Sequence, residues 1–199
     1  MTRTRIVLAL VLLVPGTGRA AAQDAETIKA INALRDAGVD VGISPEGVAT
    51  ASGSPKLVEK ELVHLKAFPK LQSLDLSFTP LTDAGMVHLK DLKTLRKLDL
   101  SNTVISDRGL GQIKGLIELR ELNIGKTRAT GPGVVGVIGG FPKLERLDLL
   151  NIPIRDAGLQ HLEKLPSLKH VDLSGTMVTP KGIERLKKAL PDATVLKLN

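Results

Sequence analysis

Apolar residues return along this chain in one recurring phrase. From Leu71 onward, Leu, Ile or Val fills the first, fourth and sixth positions of LQSLDL, LRKLDL, LRELNI, LERLDL and LKHVDL. These segments begin at Leu71, Leu95, Leu119, Leu144 and Leu168, at intervals of 24, 24, 25 and 24 residues, and open units 1 to 5. The alternation predicts a short strand that buries Leu74 and Leu76 and turns Ser73, Asp75 and Ser77 outward. A further apolar residue (Leu81, Ile105, Ala129, Ile154 or Val178) then brings the chain back toward the core. Four units follow it with Thr82, Ser106, Thr130 or Thr179, side chains suited to capping a helix N-terminus. Pro180 stands where a first helical residue belongs. Apolar residues next recur at helical spacing, Met86, Leu89 and Leu92 in unit 1 and Leu159, Leu162 and Leu165 in unit 4.

One such unit cannot bury its own apolar face, so the stack is the folding unit. The expected fold class is α/β, a solenoid with a parallel concave sheet and convex helices. The segment LVEKELVHLKAFPK supplies the second half of one more unit ahead of Leu71, and ATVLKLN follows unit 5. Residues 53–199 are therefore assigned to the repeats. Residues 23–52 differ in kind. DAETIKAINALRDAG predicts a helix with Ile28, Ile31 and Leu34 on one side and Gly38 as its stop. VDVGI, SPEG and VATAS predict two short strands about a turn. This helix–hairpin reads as an N-terminal cap over the exposed end of the stack. VLKLN reads as a strand at an open edge, where Lys197 discourages pairing, and a homodimer through that edge is one arrangement the sequence offers. Residues 1–22 read as a signal peptide: MTRTR is basic, IVLALVLLV is too short to span a bilayer, and Ala20 and Ala22 form an A-x-A site. The expected location is the periplasm or the extracellular space, with no integral membrane span after cleavage.

The phrases LDLSFTPLTDAGM, LDLSNTVISDRGL and LDLLNIPIRDAGL resemble the leucine-rich repeat family. They are closest to the 24-residue subtype L-x-x-L-x-L-x-x-T-x-I-T-D-x-G-L, as in F-box-associated and exported bacterial leucine-rich repeat proteins. The resemblance covers roughly residues 56–199. It implies a protein-binding scaffold without catalytic activity, and no F-box-like segment accompanies it. In the family pattern Thr79, Thr103, Thr127 and Thr176 face inward, where their hydroxyls would satisfy backbone groups of the turn, and Ile152 breaks that column.

Composition narrows the partner class. Without residues 1–22 the chain carries 25 basic against 21 acidic side chains, so the net charge drops from +7 to +4. The aromatic residues are Phe68, Phe78 and Phe141, with no Trp or Tyr, which disfavours stacking on single-stranded nucleic acid or on sugar rings. No nucleic-acid partner is expected. There is no cysteine, hence no disulfide, thiol nucleophile or cysteine-bound metal.

The candidate binding residues lie on the concave side. Asp75, Asp99, Asn123, Asp148 and Asp172 form a column whose neighbours stand about 4.8 Å apart. It suits a basic partner or a cation such as calcium, or it is the consensus of the repeat with each Asp tied into local hydrogen bonds. Lys97, Arg146 and His170 stand in the adjoining column, and Phe78 and Leu150 are apolar where other units carry polar residues or glycine. His64, His88 and His161 precede buried leucines in different units, too far apart to share a metal. No cofactor is expected. Gly131, Gly133 and Gly136 spell G-x-G-x-x-G, yet Gly133 falls in the column of Gly85, Gly109, Gly158 and Gly182, so the fingerprint belongs to the repeat. Five glycines in Gly131–Gly140 predict an irregular, poorly helical convex segment there. The functional readings are an exported protein-binding scaffold, a secreted enzyme inhibitor, a structural protein of the cell envelope, or a calcium-dependent module.

Overall fold

The computed structural model describes residues 18–198, with side chains from Ala25 onward. The expected signal peptide lies almost wholly outside this range. Helix α1 (Gly18–Asp36) leads into strands β1 (Val39–Ile43) and β2 (Ala49–Gly53). The hairpin turn closes with Gly47 N–H donating to the Ser44 carbonyl at 2.8 Å. Gly38 ends the helix at φ +82°, and a side chain there would press on Ser54 Oγ. One expectation fails inside α1. Ala30 and Leu34 form its buried stripe, continued by Ala37 just past its end, and Ile31 is half-buried, but Ile28 is 51% exposed. The small alanines, three to four residues either side of Leu34, let the helix lie close on a 3-10 helix at Glu59–Ala67.

Strands β3 (Leu71–Asp75), β4 (Lys97–Asp99), β5 (Glu121–Asn123), β6 (Arg146–Asp148), β7 (His170–Asp172) and β8 (Thr194–Leu196) follow. All eight strands form one sheet in sequence order, antiparallel at β1–β2 and parallel from β2 to β8. The hairpin is thus continuous with the solenoid sheet. Leu74, Leu98, Leu122, Leu147, Val171 and Val195 share one register position. The first five are buried, and one apolar cluster runs from Ala30 to Leu190. Each fully buried Leu, Ile or Val contributes about 1.5–3 kcal/mol, so the stack needs no covalent staple.

The convex side carries 3-10 turns at Glu59–Ala67 and Gly85–His88, then helices α2 (Asp107–Gly111), α3 (Gly131–Ile138), α4 (Asp156–Leu162) and α5 (Pro180–Ala189). The expectation of an irregular glycine-rich segment is overturned: α3 is a regular eight-residue helix, longer than α2. Thr130 caps it, Pro132 sits in its first turn, and Val134, Val137 and Ile138 are buried. Tertiary burial of those three residues outweighs the propensity cost of the glycines.

Hydrogen bonds between successive units stitch the convex side. Asp83 accepts from Ser106 N–H at 2.7 Å and Ser106 Oγ at 2.5 Å. Asp107 accepts likewise from Thr130 at 2.7 and 2.6 Å, and Asp156 from Thr179 at 2.8 and 2.6 Å. Glu59 does the same for Thr82. Each acid serves the hydroxyl residue of the unit after it. The row is interrupted once among the described residues, and both partners change together: Gly131 stands in the acid column of unit 3 and Arg155 in the hydroxyl column of unit 4. These bonds also explain the glycine column. A side chain at Gly109, Gly133 or Gly182 would collide with the carboxylate of Asp83, Asp107 or Asp156.

Candidate binding surface

The column Asp75, Asp99, Asn123, Asp148 and Asp172 is held in register along the concave face. Every member spends one side-chain oxygen on its own turn. Asp75, Asp99, Asp148 and Asp172 Oδ1 accept from the N–H groups of Ser77, Ser101, Leu150 and Ser174 at 2.8–2.9 Å, and Asn123 Oδ1 accepts from Gly125 at 3.0 Å. Tying into local hydrogen bonds is therefore part of what this column does. Asn123 also donates Nδ2 to Asp99 Oδ2 at 3.0 Å, so the amide separates what would be adjacent carboxylates. Burial pushes the Asp148 carboxyl above its ordinary range. The Leu150 N–H opposes that rise, and the charges of Asp172 and Asp99 add to it.

The adjoining column is heterogeneous. Lys97 pairs with Glu121 at 2.8 Å, whereas Arg146 and His170 are exposed and have no ion-pair partner among the described residues. Units 1 to 4 enclose a hollow of about 280 Å³ floored by Leu74, Leu98 and Leu122. Asp75, Asp99, Asn123, Asp148, Lys97 and Arg146 all line it, while Asp172 and His170 fall beyond its wall. No group of three or more His, Asp or Glu side chains among the described residues is placed to hold a metal ion. His64 contacts Glu61 at 3.2 Å, and no helix among the described residues is long and apolar enough to cross a membrane.

Phe78 and Leu150 behave differently. Leu150 is half-buried, with its Cβ over Gly125. Phe78 is 67% exposed and has φ +55°, a left-handed conformation that costs a bulky residue about 1–2 kcal/mol. It shares that conformation with Asn102, Lys126, Asn151 and Gly175 in the same column. Asn and Gly at three of the five positions were the sequence signal for this turn, and it was missed. Behind it, Thr79, Thr103, Thr127 and Thr176 donate their hydroxyls to the carbonyls of Leu76, Leu100, Ile124 and Leu173 at 2.5–2.8 Å. Where Ile152 replaces Thr, its own N–H donates to the Leu149 carbonyl at 2.9 Å. Lys197 directly follows the edge strand β8 and is half-buried. It stands two positions past Val195, level with buried Leu173 just past the preceding strand, and donates Nζ to the Thr176 carbonyl at 3.0 Å.

Comparison with known proteins agrees with this geometry. Two leucine-rich repeat family models match, one over residues 69–128 and one over residues 164–187. The chain contains leucine-rich repeats. Its solenoid is similar to the crystal structure of an internalin from Listeria monocytogenes, with a TM-score of 0.58 at 22% identity over 69% of this chain and 37% of that one. A leucine-rich repeat protein of Leptospira interrogans aligns at TM-score 0.49 and 22% identity, over 67% of this chain and 38% of that one. The repeat protein thus spans little more than a third of these solved structures. No curated protein matches it. Leucine-rich repeats are commonly protein-binding scaffolds, and their stacked strands present the concave surface that such binding uses.

Proposed function

We propose that this repeat protein is an exported, non-catalytic scaffold that binds a protein partner through the concave hollow of units 1 to 4. One observation carries the reading. The side chains that line the hollow beside the aspartate column differ in every strand, and Arg146 among them has no ion-pair partner in the described structure. Residues repeated in each unit are explained by the stack, while Ser73, Lys97, Glu121 and Arg146 supply an unrepeated pattern that a partner can read. Export rests on residues 1–22, and mass spectrometry of the purified exported chain should find Gln23 at its N-terminus.

The binding test combines Asp99→Asn, Asp148→Asn and Arg146→Glu, followed by crosslinked capture from native envelope extract. Asparagine keeps the turn acceptor, as Asn123 does. Capture of the partner should fall at least about tenfold, the size of a 1.4 kcal/mol loss, at an unchanged melting temperature. Undiminished capture by the folded triple variant would reject the hollow as the site. A second reading, self-association in the envelope, is favoured by β8, which pairs only with β7 among the described residues and leaves Leu196 and Leu198 exposed. Sedimentation that stays monomeric at high concentration would remove it.

A further inference from the structure

The loops that leave the strands make a second surface, separate from the concave hollow. Five consecutive loops, residues 78–82, 102–106, 126–130, 151–155 and 175–179, lie side by side along one edge of the stack. A backbone ladder locks them together. The left-handed residue at the start of each loop donates its N–H to the next unit: Phe78 to Ser101, Asn102 to Gly125, Lys126 to Leu150, Asn151 to Ser174 and Gly175 to Leu198, at 2.7–3.1 Å. Further along the loops, Val104, Arg128 and Met177 N–H donate back to Leu81, Ile105 and Ile154 at 2.9–3.2 Å. The edge is preorganised, so a partner would lose little entropy in ordering it.

Its chemistry is one-sided. No Asp or Glu occurs in any of the five loops, whereas Lys126, Arg128 and Arg155 do, all in the two units 3 and 4. All three are exposed, and none has a hydrogen-bonded or ion-pair partner for its side chain among the described residues. Arg155 stands where the other units place the hydroxyl that binds a neighbouring carboxylate, and Gly131 opposite it removes that carboxylate. The carboxylate that closes the other four loops, from Glu59, Asp83, Asp107 or Asp156, is thus absent from the loop that ends in Arg155. On either side the edge turns apolar. Phe78, Pro80 and Val104 are exposed before the cations, and Met177 is exposed after them.

We infer that this loop edge is a docking surface for an extended peptide segment of a partner, acidic at its centre and apolar at its ends. The five loops span roughly 20 Å at the inter-strand spacing, the length of about six extended residues. The order of chemistry along the edge sets the partner's order: carboxylates over Lys126, Arg128 and Arg155, with apolar side chains over Phe78 and Val104 at one end and Met177 at the other. A lipid surface is the poorer fit, because it engages a broad plane of cations, and here the charge is confined to the middle of a single row.

The test pans a random nonapeptide phage library on the purified chain and measures the selected peptides by fluorescence anisotropy. The edge variant is Lys126→Asn, Arg128→Val and Arg155→Thr, each residue borrowed from the same column of a neighbouring loop, so the stack tolerates it. Selected peptides should carry clustered Asp or Glu between apolar residues. Their affinity should fall about tenfold or more in the edge variant, and should fall also in 1 M salt, where screening acts within about 3 Å. The Asp99→Asn, Asp148→Asn variant should bind them as the parent does, which keeps this surface distinct from the hollow. Failure to enrich acidic peptides, or equal binding by parent and edge variant, overturns the inference. So does edge-dependent binding to equimolar phosphatidylcholine–phosphatidylglycerol vesicles with no acidic peptide selected.

Discussion

Two glycines three residues apart in helix α3 should respond to alanine with opposite signs. Gly136 faces open space, where an added methyl meets nothing within 4 Å. Gly136→Ala should therefore realise the ordinary helix gain of about 1 kcal/mol, or roughly 2–4 °C in Tm for a chain of this size. Gly133→Ala receives the same helix gain but drives its methyl into the Asp107 carboxylate. That carboxylate holds Thr130 through two short hydrogen bonds. A hydrogen bond to a charged group contributes about 1.5–3 kcal/mol when buried, and partial exposure here reduces it to about 1–1.5 each. Losing both outweighs the helix term, for a net loss of about 1–2 kcal/mol. The two variants should differ by about 2–3 kcal/mol in urea denaturation followed by far-ultraviolet circular dichroism. In an Asp107→Gly background, which copies the glycine that unit 3 carries in that column, Gly133→Ala should turn stabilising. If Gly133→Ala stabilises the parent as much as Gly136→Ala does, the carboxylate is not what keeps this column glycine.

Three more outcomes follow from the same contacts. Asp83 and Asp156 titrate below the ordinary aspartate range. At Asp83 burial is the largest influence and acts upward, but the Ser106 hydroxyl and N–H outweigh it; at Asp156 the Thr179 hydroxyl and N–H lower the value directly. Depressed carboxylates stabilise the fold above the unfolded value near 3.9, and that contribution disappears as pH falls through the lower folded values. Urea midpoints should therefore drop as pH falls below about 4, and Asp83→Asn should make that drop shallower. Asp148→Asn should leave neutral-pH stability intact or raise it, because the raised Asp148 pKa means its charge is disfavoured in the fold, and Asn123 shows that an amide oxygen serves the turn; a large loss of Tm would contradict this. Phe78→Asn should stabilise by about 1 kcal/mol through relief of the left-handed backbone, and a lowered Tm would show instead that the ring packs usefully.

The solenoid was legible because period, alternation and inward apolar residues all agree across five units, from Leu71 to Leu168. The N-terminal hairpin was legible from Gly38 and the SPEG turn, and the structure adds that its second strand joins the main sheet. The convex row of acid and hydroxyl was hidden, since its partners lie 23 residues apart and each resembles an ordinary helix cap. It could have been found by noticing that the chain gains and loses the two columns together. Local propensity misled at Gly131–Gly140, where packing of Val134, Val137 and Ile138 decided the outcome. The hollow needed three dimensions, because it gathers side chains from units 1 to 4 that no sequence window contains.

The convex row also sets which units can be removed from the stack with its pairing kept. Each acid is matched to a hydroxyl in the following unit, so units are interchangeable only where that match survives the cut. Excision of unit 2 would place Asp83 against Thr130 and heal the seam. Excision of unit 3 alone would face Asp107 with Arg155, and excision of unit 4 alone would leave Thr179 facing Gly131. Taking both, residues 119–167, joins Asp107 to Thr179 and restores the pairing. In terms of this pairing units 3 and 4 form a single cassette, although the period would count them as two.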